Sequence, residues 1–150
     1  SAQRECLRIA IDGAFGPERF GRAGAGTWLR PEASLRMVVE EPGTLTLSLR
    51  SPRPTDPRVQ VIGADGAEAG AAVNFIKGGA TVSVVLDRGD IEDGFAEIHL
   101  VSEPFVRSRA GAGSDTRELG VVMTTVAFQP AEPGPICWWD DPGNRGVPAH

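Results

Sequence analysis

Tyrosine is missing from this 150-residue chain, and cysteine and histidine occur only twice each. So little histidine argues against a histidine-rich metal centre or an imidazole relay. His99 alternates with Ile98 and Leu100 and reads as a solvated strand residue, while His150 ends the sequence. No Gly-x-Ser-x-Gly elbow is present: Gly111 to Asp115 only approximates one, and Gly24 to Trp28 lacks the following helix that a phosphate-binding glycine loop needs. No apolar run approaches the roughly 18 residues of a membrane helix, and the N-terminal residues lack a signal-peptide pattern. The opening Ser1-Ala2 fits a domain cut from a longer parent chain. Positive charge is also short, with 15 Lys and Arg against 20 Asp and Glu, a net charge of -5 and a pI near 5.0. That balance suits neither a phosphate backbone nor an anionic lipid surface, so neither nucleic acid nor a membrane span is expected. The carboxylates Asp87, Asp90, Glu92 and Asp93 do not follow the spacing of a helix-flanked calcium loop and read as a solvated hairpin tip. The expectation from these absences is a protein that is not an enzyme and carries no cofactor and no metal.

What the chain does have is period-two alternation. Leu7, Ile9 and Ile11 alternate with charged or small residues; Leu35, Met37 and Val39 do the same; Leu45, Leu47 and Leu49 alternate with Thr44, Thr46, Ser48 and Arg50. Val59 and Val61, Val73 and Phe75, Val82 to Leu86, Ile98 and Leu100, and the run Leu119 to Phe128 continue the series. Turn residues separate them at Glu41-Pro42-Gly43, Pro52 to Pro57, Asp65-Gly66, Lys77-Gly78-Gly79 and Asp87 to Asp90. The 19 glycines and 12 prolines fit many turns and no long helix. The pattern predicts an all-β domain over residues 1–130: a two-sheet antiparallel β-sandwich of jelly-roll type with about eight strands, an open barrel being the alternative. At this length such a domain buries about two-thirds of its unfolded surface. Residues 131–150 read as a C-terminal tail that folds back on the sandwich. Cys6 and Cys137 flank the whole domain; either a disulfide or two buried thiols fits that placement.

Two features carry chemistry. The first is the string Ser114-Asp115-Thr116-Arg117-Glu118-Leu119-Gly120, which joins a Gly-Ala loop to the last long strand. A guanidinium can satisfy a carboxylate and several carbonyls at once, so Arg117 with Asp115 either pins the loop, with Glu18 as another partner, or presents hydrogen-bonding groups to a ligand. The second is tryptophan. Sugar rings stack their C–H faces on indoles while their hydroxyls seek charged side chains, so Trp138 and Trp139, beside Asp140, Asp141, Asn144 and Arg145, form a candidate saccharide platform. Trp28 is a weaker candidate that also reads as an inter-sheet plug. The candidate ligand-binding residues are therefore Trp138, Trp139, Trp28, Arg117 and Asp115.

Gly13-Ala14-Phe15-Gly16-Pro17-Glu18-Arg19, Gly26-Thr27-Trp28 and Ser114 to Val121 resemble segments of a bacterial accessory domain. It is a β-sandwich similar to carbohydrate-binding modules, appended to membrane-embedded or polysaccharide-assembling glycosyltransferases. The resemblance runs over most of residues 7–128. It implies a noncatalytic module beside a sugar-transfer enzyme, periplasmic or otherwise extracytoplasmic, with an oligosaccharide or polysaccharide and the parent glycosyltransferase domain as partners. Pro130 to His150, with its cysteine and two tryptophans, extends beyond it.

Overall fold

The computed structural model describes residues 7–19, 25–51, 56–69, 73–106, 116–132 and 134–140. They form nine strands: β1 (Ile9–Arg19), β2 (Ala25–Val38), β3 (Gly43–Arg50), β4 (Val59–Gly63), β5 (Gly79–Leu86), β6 (Ile91–Glu92), β7 (Phe95–Ser102), β8 (Val122–Pro130) and β9 (Cys137–Asp140). Every pairing is antiparallel. The only helical turn among the described residues is the short 3₁₀ segment Arg88–Asp90, so no helix there is long and apolar enough to cross a membrane. Asp87 caps that turn, its backbone N–H donating to the Asp90 carboxylate at 2.8 Å.

The strands run in the order β4-β7-β2-β8-β3-β5, with β1 beside β2, β6 beside β7 and β9 beside β8. β2 turns this ladder over on itself. One edge of β2 is paired along its length with β1, whereas the other divides, Thr27 and Trp28 meeting β8 and Glu32 to Val38 meeting β7. β8 divides likewise between β2 and β9. The result is a single antiparallel sheet curled like a half-barrel. Its inner side is one hydrophobic cluster, to which Leu35, Met37, Ile98 and Leu100 contribute from one half and Leu45, Leu47, Val84 and Val126 from the other. The alternation of β3 shows why: Leu45, Leu47 and Leu49 are at most 2% exposed while the residues between them stay half-exposed. Each such leucine contributes roughly 1.5–3 kcal/mol through burial.

Bulges sharpen the curl. Pairing of β1 with β2 slips between Asp12 and Ala14 and again before Gly16, and Gly13 sits there at φ 90°. A Cβ at Gly13 would meet the Glu32 carbonyl oxygen at 2.7 Å, so both conformation and space demand glycine. Pro17 is accommodated because β1 pairs with β2 alone at this level. The predicted turns at Asp65-Gly66 and Lys77-Gly78 are present, with Gly66 at φ 84° and Lys77 and Gly78 at φ 52° and 78°.

One expectation changes. Val73 and Phe75 do not make a strand: they lean half-buried on the core, and the backbone pairs only at the bridge from Ile76 to Gly79. The chain beyond residue 130 joins the sheet, since β9 pairs with β8 from Phe128↔Cys137 to Thr125↔Asp140. The Leu7 N–H donates to the Trp138 carbonyl at 3.1 Å, which ties the start of the described chain to its last strand. Cys137 is disulfide-bonded. Cys6, the other cysteine of the chain, lies outside the described residues.

Candidate functional site

The charged string before β8 folds into an anchor. Phe105 and Leu119 exchange backbone hydrogen bonds, both 2.8 Å, and close the base of the long loop between β7 and β8. Gly120 then donates to the Leu29 carbonyl at 2.7 Å. Leu119 is completely buried in a second apolar cluster with Trp28 and Val122, onto which Phe15 and Phe105 pack. This cluster lies on the other face of β2 from the main core: Leu29, next to Trp28, belongs to the main cluster. Arg117, half-buried, places its guanidinium 5.0 Å from the centre of the Phe15 ring, and Arg30 is 4.5 Å from the same ring. Two cations on one aromatic fasten the loop to β1 and β2. Asp115 lies outside the described residues, as does the side chain of Glu18. Phe15 is the partner that the sequence did not single out for Arg117; its place in the run Gly13-Ala14-Phe15-Gly16 gave no strand alternation from which to read it.

The three tryptophans separate. Trp28 is completely buried. Trp139, 8% exposed, packs into the main core opposite Val126. Neither indole offers a ring to solvent. Trp138 is half-buried on the opposite face of β9 and lies across from Ala127. The rung continues to Thr46 on β3 and Ser83 on β5, and the next rung holds Thr125, Ser48 and Thr81. Residues directly opposite in an antiparallel pair point to the same side, so Trp138 stands at one edge of a hydroxyl-lined face four strands wide. The side chain of Asp140, and all of Asp141, Asn144 and Arg145, lie outside the described residues.

That face ends in a groove of about 570 Å³ bounded by Ser48, Arg50, Asn74, Lys77, Thr81 and Thr124. A β-bulge builds part of it. Ser48 pairs with Thr125 but Leu49 with Met123, so Thr124 is the extra residue of β8. Freed from the alternation, its hydroxyl donates to the Ser48 carbonyl at 3.2 Å. Of these residues Ser48 and Arg50 were legible beforehand, on the polar side of the cleanest alternating strand, and Lys77 as a turn residue; the groove joins positions far apart in sequence.

A second groove, about 660 Å³, lies on the outer face of the β1-β2-β7 half, with Asp12, Arg30, Glu32, Ser34 and His99 along it. Ser34 Oγ is hydrogen-bonded to His99 Nδ1 at 2.8 Å, and His99 Nε2 is 3.7 Å from Glu97 Oε1. The His99 and Glu97 side chains are 37% and 46% exposed. Water competes for every group in that line, which suits a polar surface better than an activated nucleophile. The hairpin carboxylates Asp90, Glu92 and Asp93 border a third groove, where Arg36 stacks 4.3 Å from the Phe95 ring. Among the described residues no group of three or more His, Cys, Asp or Glu side chains is placed to hold a metal ion.

The chain matches no protein-family model and no curated protein sequence.

Proposed function

We propose that this domain is a noncatalytic, carbohydrate-binding-like accessory module of a bacterial glycosyltransferase or polysaccharide-assembly protein, acting in the periplasm or elsewhere outside the cytoplasm. In this reading the curled sheet is a two-sheet sandwich of jelly-roll type, with β4, β7 and β2 in one layer and β8, β3 and β5 in the other; the single core shared by both halves supports it. The observation that carries the function is the outer face of β9, β8, β3 and β5. It offers one partly exposed indole, Trp138, beside a row of hydroxyls on Thr46, Ser83, Thr125, Ser48 and Thr81. An apolar ring face and a field of donors and acceptors are the two things a pyranose needs. The burial of Trp28 and Trp139 leaves Trp138 as the stacking residue and gives the other two a packing role. Arg117 belongs to the segment whose base covers Trp28, so its contribution is to fasten that segment to the Phe15 ring.

One stacked indole supplies only a few kcal/mol against the cost of association, which places the dissociation constant at roughly 10 μM to 1 mM. Tryptophan fluorescence and NMR titration with bacterial cell-wall and capsular oligosaccharides test this. Trp138→Ala is expected to abolish binding at a smaller cost in stability than Trp139→Ala, which removes a core indole and costs about 3–5 kcal/mol. If no oligosaccharide at millimolar concentration perturbs either spectrum, the rival reading takes over: a structural or protein–protein interaction β-sandwich without glycan binding, to which the burial of two of the three indoles already lends weight.

A further inference from the structure

The groove at the end of the Trp138 face differs in charge from the rest of the molecule. The chain carries a net charge of -5, yet the groove is bordered by two cations, Arg50 and Lys77, and, among the described residues, by no carboxylate. Both are exposed, and neither makes an ion pair among the described residues. Each is held by well-defined backbone. Arg50 pairs across the sheet with Gly79 on one side and Val122 on the other. Lys77 is the first central residue of a two-residue turn in which Ile76 and Gly79 exchange backbone hydrogen bonds of 2.8 and 3.0 Å. Positive φ at both central residues, 52° and 78°, is the geometry of a type I′ turn. The Ser51 N–H donates to the Gly78 carbonyl at 2.8 Å and joins that turn to the end of β3. Around the two cations stand neutral polar groups, Ser48, Thr81, Thr124 and Asn74, and one apolar wall, Ile76, which is 75% exposed.

We infer that this groove holds an oxyanion substituent, a carboxylate or sulfate, on the same saccharide whose ring stacks on Trp138, so that the module selects acidic over neutral glycans. The inference rests on the glycan reading of the Trp138 face and adds the ligand's charge to it. A guanidinium offers a planar fork to two oxyanion oxygens, and an ammonium adds a mobile donor. Hydroxyl and amide neighbours complete the set for the sugar itself. The geometry of the sheet sets the reach. The Arg50 rung lies four residues along the strand from the Trp138 rung and two strands across, on the order of 15 Å from the indole's backbone, a span suited to a short oligosaccharide. The acidic surface elsewhere does not cancel the effect, because unpaired surface charges act only within about 8–10 Å at ordinary ionic strength.

The test uses three probes on the whole chain: an oligoglucuronate, the same oligosaccharide with its carboxyls reduced to alcohols, and the reduced form after sulfation. Affinities are measured by calorimetry for the wild type, Trp138→Ala, and the double variant Arg50→Gln with Lys77→Asn. Asparagine tolerates positive φ, so the turn is retained, and dispersion of the NMR spectrum checks folding. The expected result is that one or both charged probes bind roughly tenfold or more tighter than the neutral one, the effect of one charge-assisted hydrogen bond. That preference should disappear in the double variant and in about 0.5 M salt. Whichever charged probe gains more identifies the oxyanion. Equal affinity for all three probes, or a charge preference that survives in the double variant, overturns the inference while leaving the glycan reading intact, provided Trp138→Ala still abolishes binding. Absence of binding by every probe overturns the inference, and the titration with cell-wall and capsular oligosaccharides then decides the glycan reading separately.

Discussion

Replacing Gly120 by alanine isolates a single physical cause. Its φ lies outside the left-handed region, so alanine can adopt its conformation; only space forbids the side chain. A Cβ there would lie 2.7 Å from the Arg30 carbonyl oxygen, 3.1 Å from the Arg30 carbonyl carbon and 3.1 Å from the Leu29 carbonyl oxygen. All three are backbone atoms of β2, well inside the roughly 3.5 Å at which nonbonded contacts become favourable, and no rotamer change can move them aside. Relief requires separating the two backbones. That strains the Gly120 N–H to Leu29 carbonyl bond of 2.7 Å and the Leu29 N–H to Val121 carbonyl bond of 2.9 Å. Overpacking of this kind with weakened hydrogen bonds costs about 2–3 kcal/mol, which for a domain of this size lowers Tm by roughly 5–10 °C. Urea denaturation at an unchanged m value measures it. Lifting residues 119–121 would also loosen the cover over Trp28, so emission should shift to the red before the cooperative transition. Gly89→Ala is the matched control: nothing lies within 4 Å of its added Cβ and its φ is ordinary, so loss of unfolded-chain entropy should stabilise by about 0.4–1 kcal/mol. Stability of Gly120→Ala within about 0.5 kcal/mol of wild type, or equal shifts in the two variants, would refute the steric argument.

The remaining predictions concern the two fastenings of the fold. Phe15→Leu should cost about 1–2 kcal/mol by removing the ring beneath both Arg30 and Arg117, and Arg117→Ala should be markedly cheaper in that background than in the wild type; additive losses in the double-mutant cycle would show that the arginines act independently of the ring. Since Cys137 is disulfide-bonded and Leu7 is hydrogen-bonded to Trp138, Cys6 is the expected partner. Alkylation without reductant should then add no mass, and reduction should destabilise by about 5 kcal/mol in the chain-entropy model for so long a loop, whereas two alkyl adducts on oxidised protein would disprove the bond.

Where period-two alternation is clean and turn residues bracket it, the amino-acid order alone determined strand and face. β3 is the clearest case, because a pleated strand has only two sides and Leu45, Leu47 and Leu49 occupy one of them. The same holds for the tight turns, since positive φ at Gly66 and Gly78 is a local demand with a local answer. Val73 and Phe75 show the limit of that logic: they alternate like a strand and pack on the core, yet they form no strand ladder. Nor could the sequence say which of two adjacent tryptophans faces the core. That is settled by register, since pairing Val126 with Trp139 sends one indole inward and leaves Trp138 outside, and a slip of one residue would exchange them. The cluster over Trp28 likewise gathers Phe15, Phe105 and Leu119 from distant segments. The cationic groove depended on tertiary structure altogether, for it needs a bulge at Thr124, a turn at Lys77 and the end of β3 at Arg50 brought together by strand pairings between residues far apart along the chain.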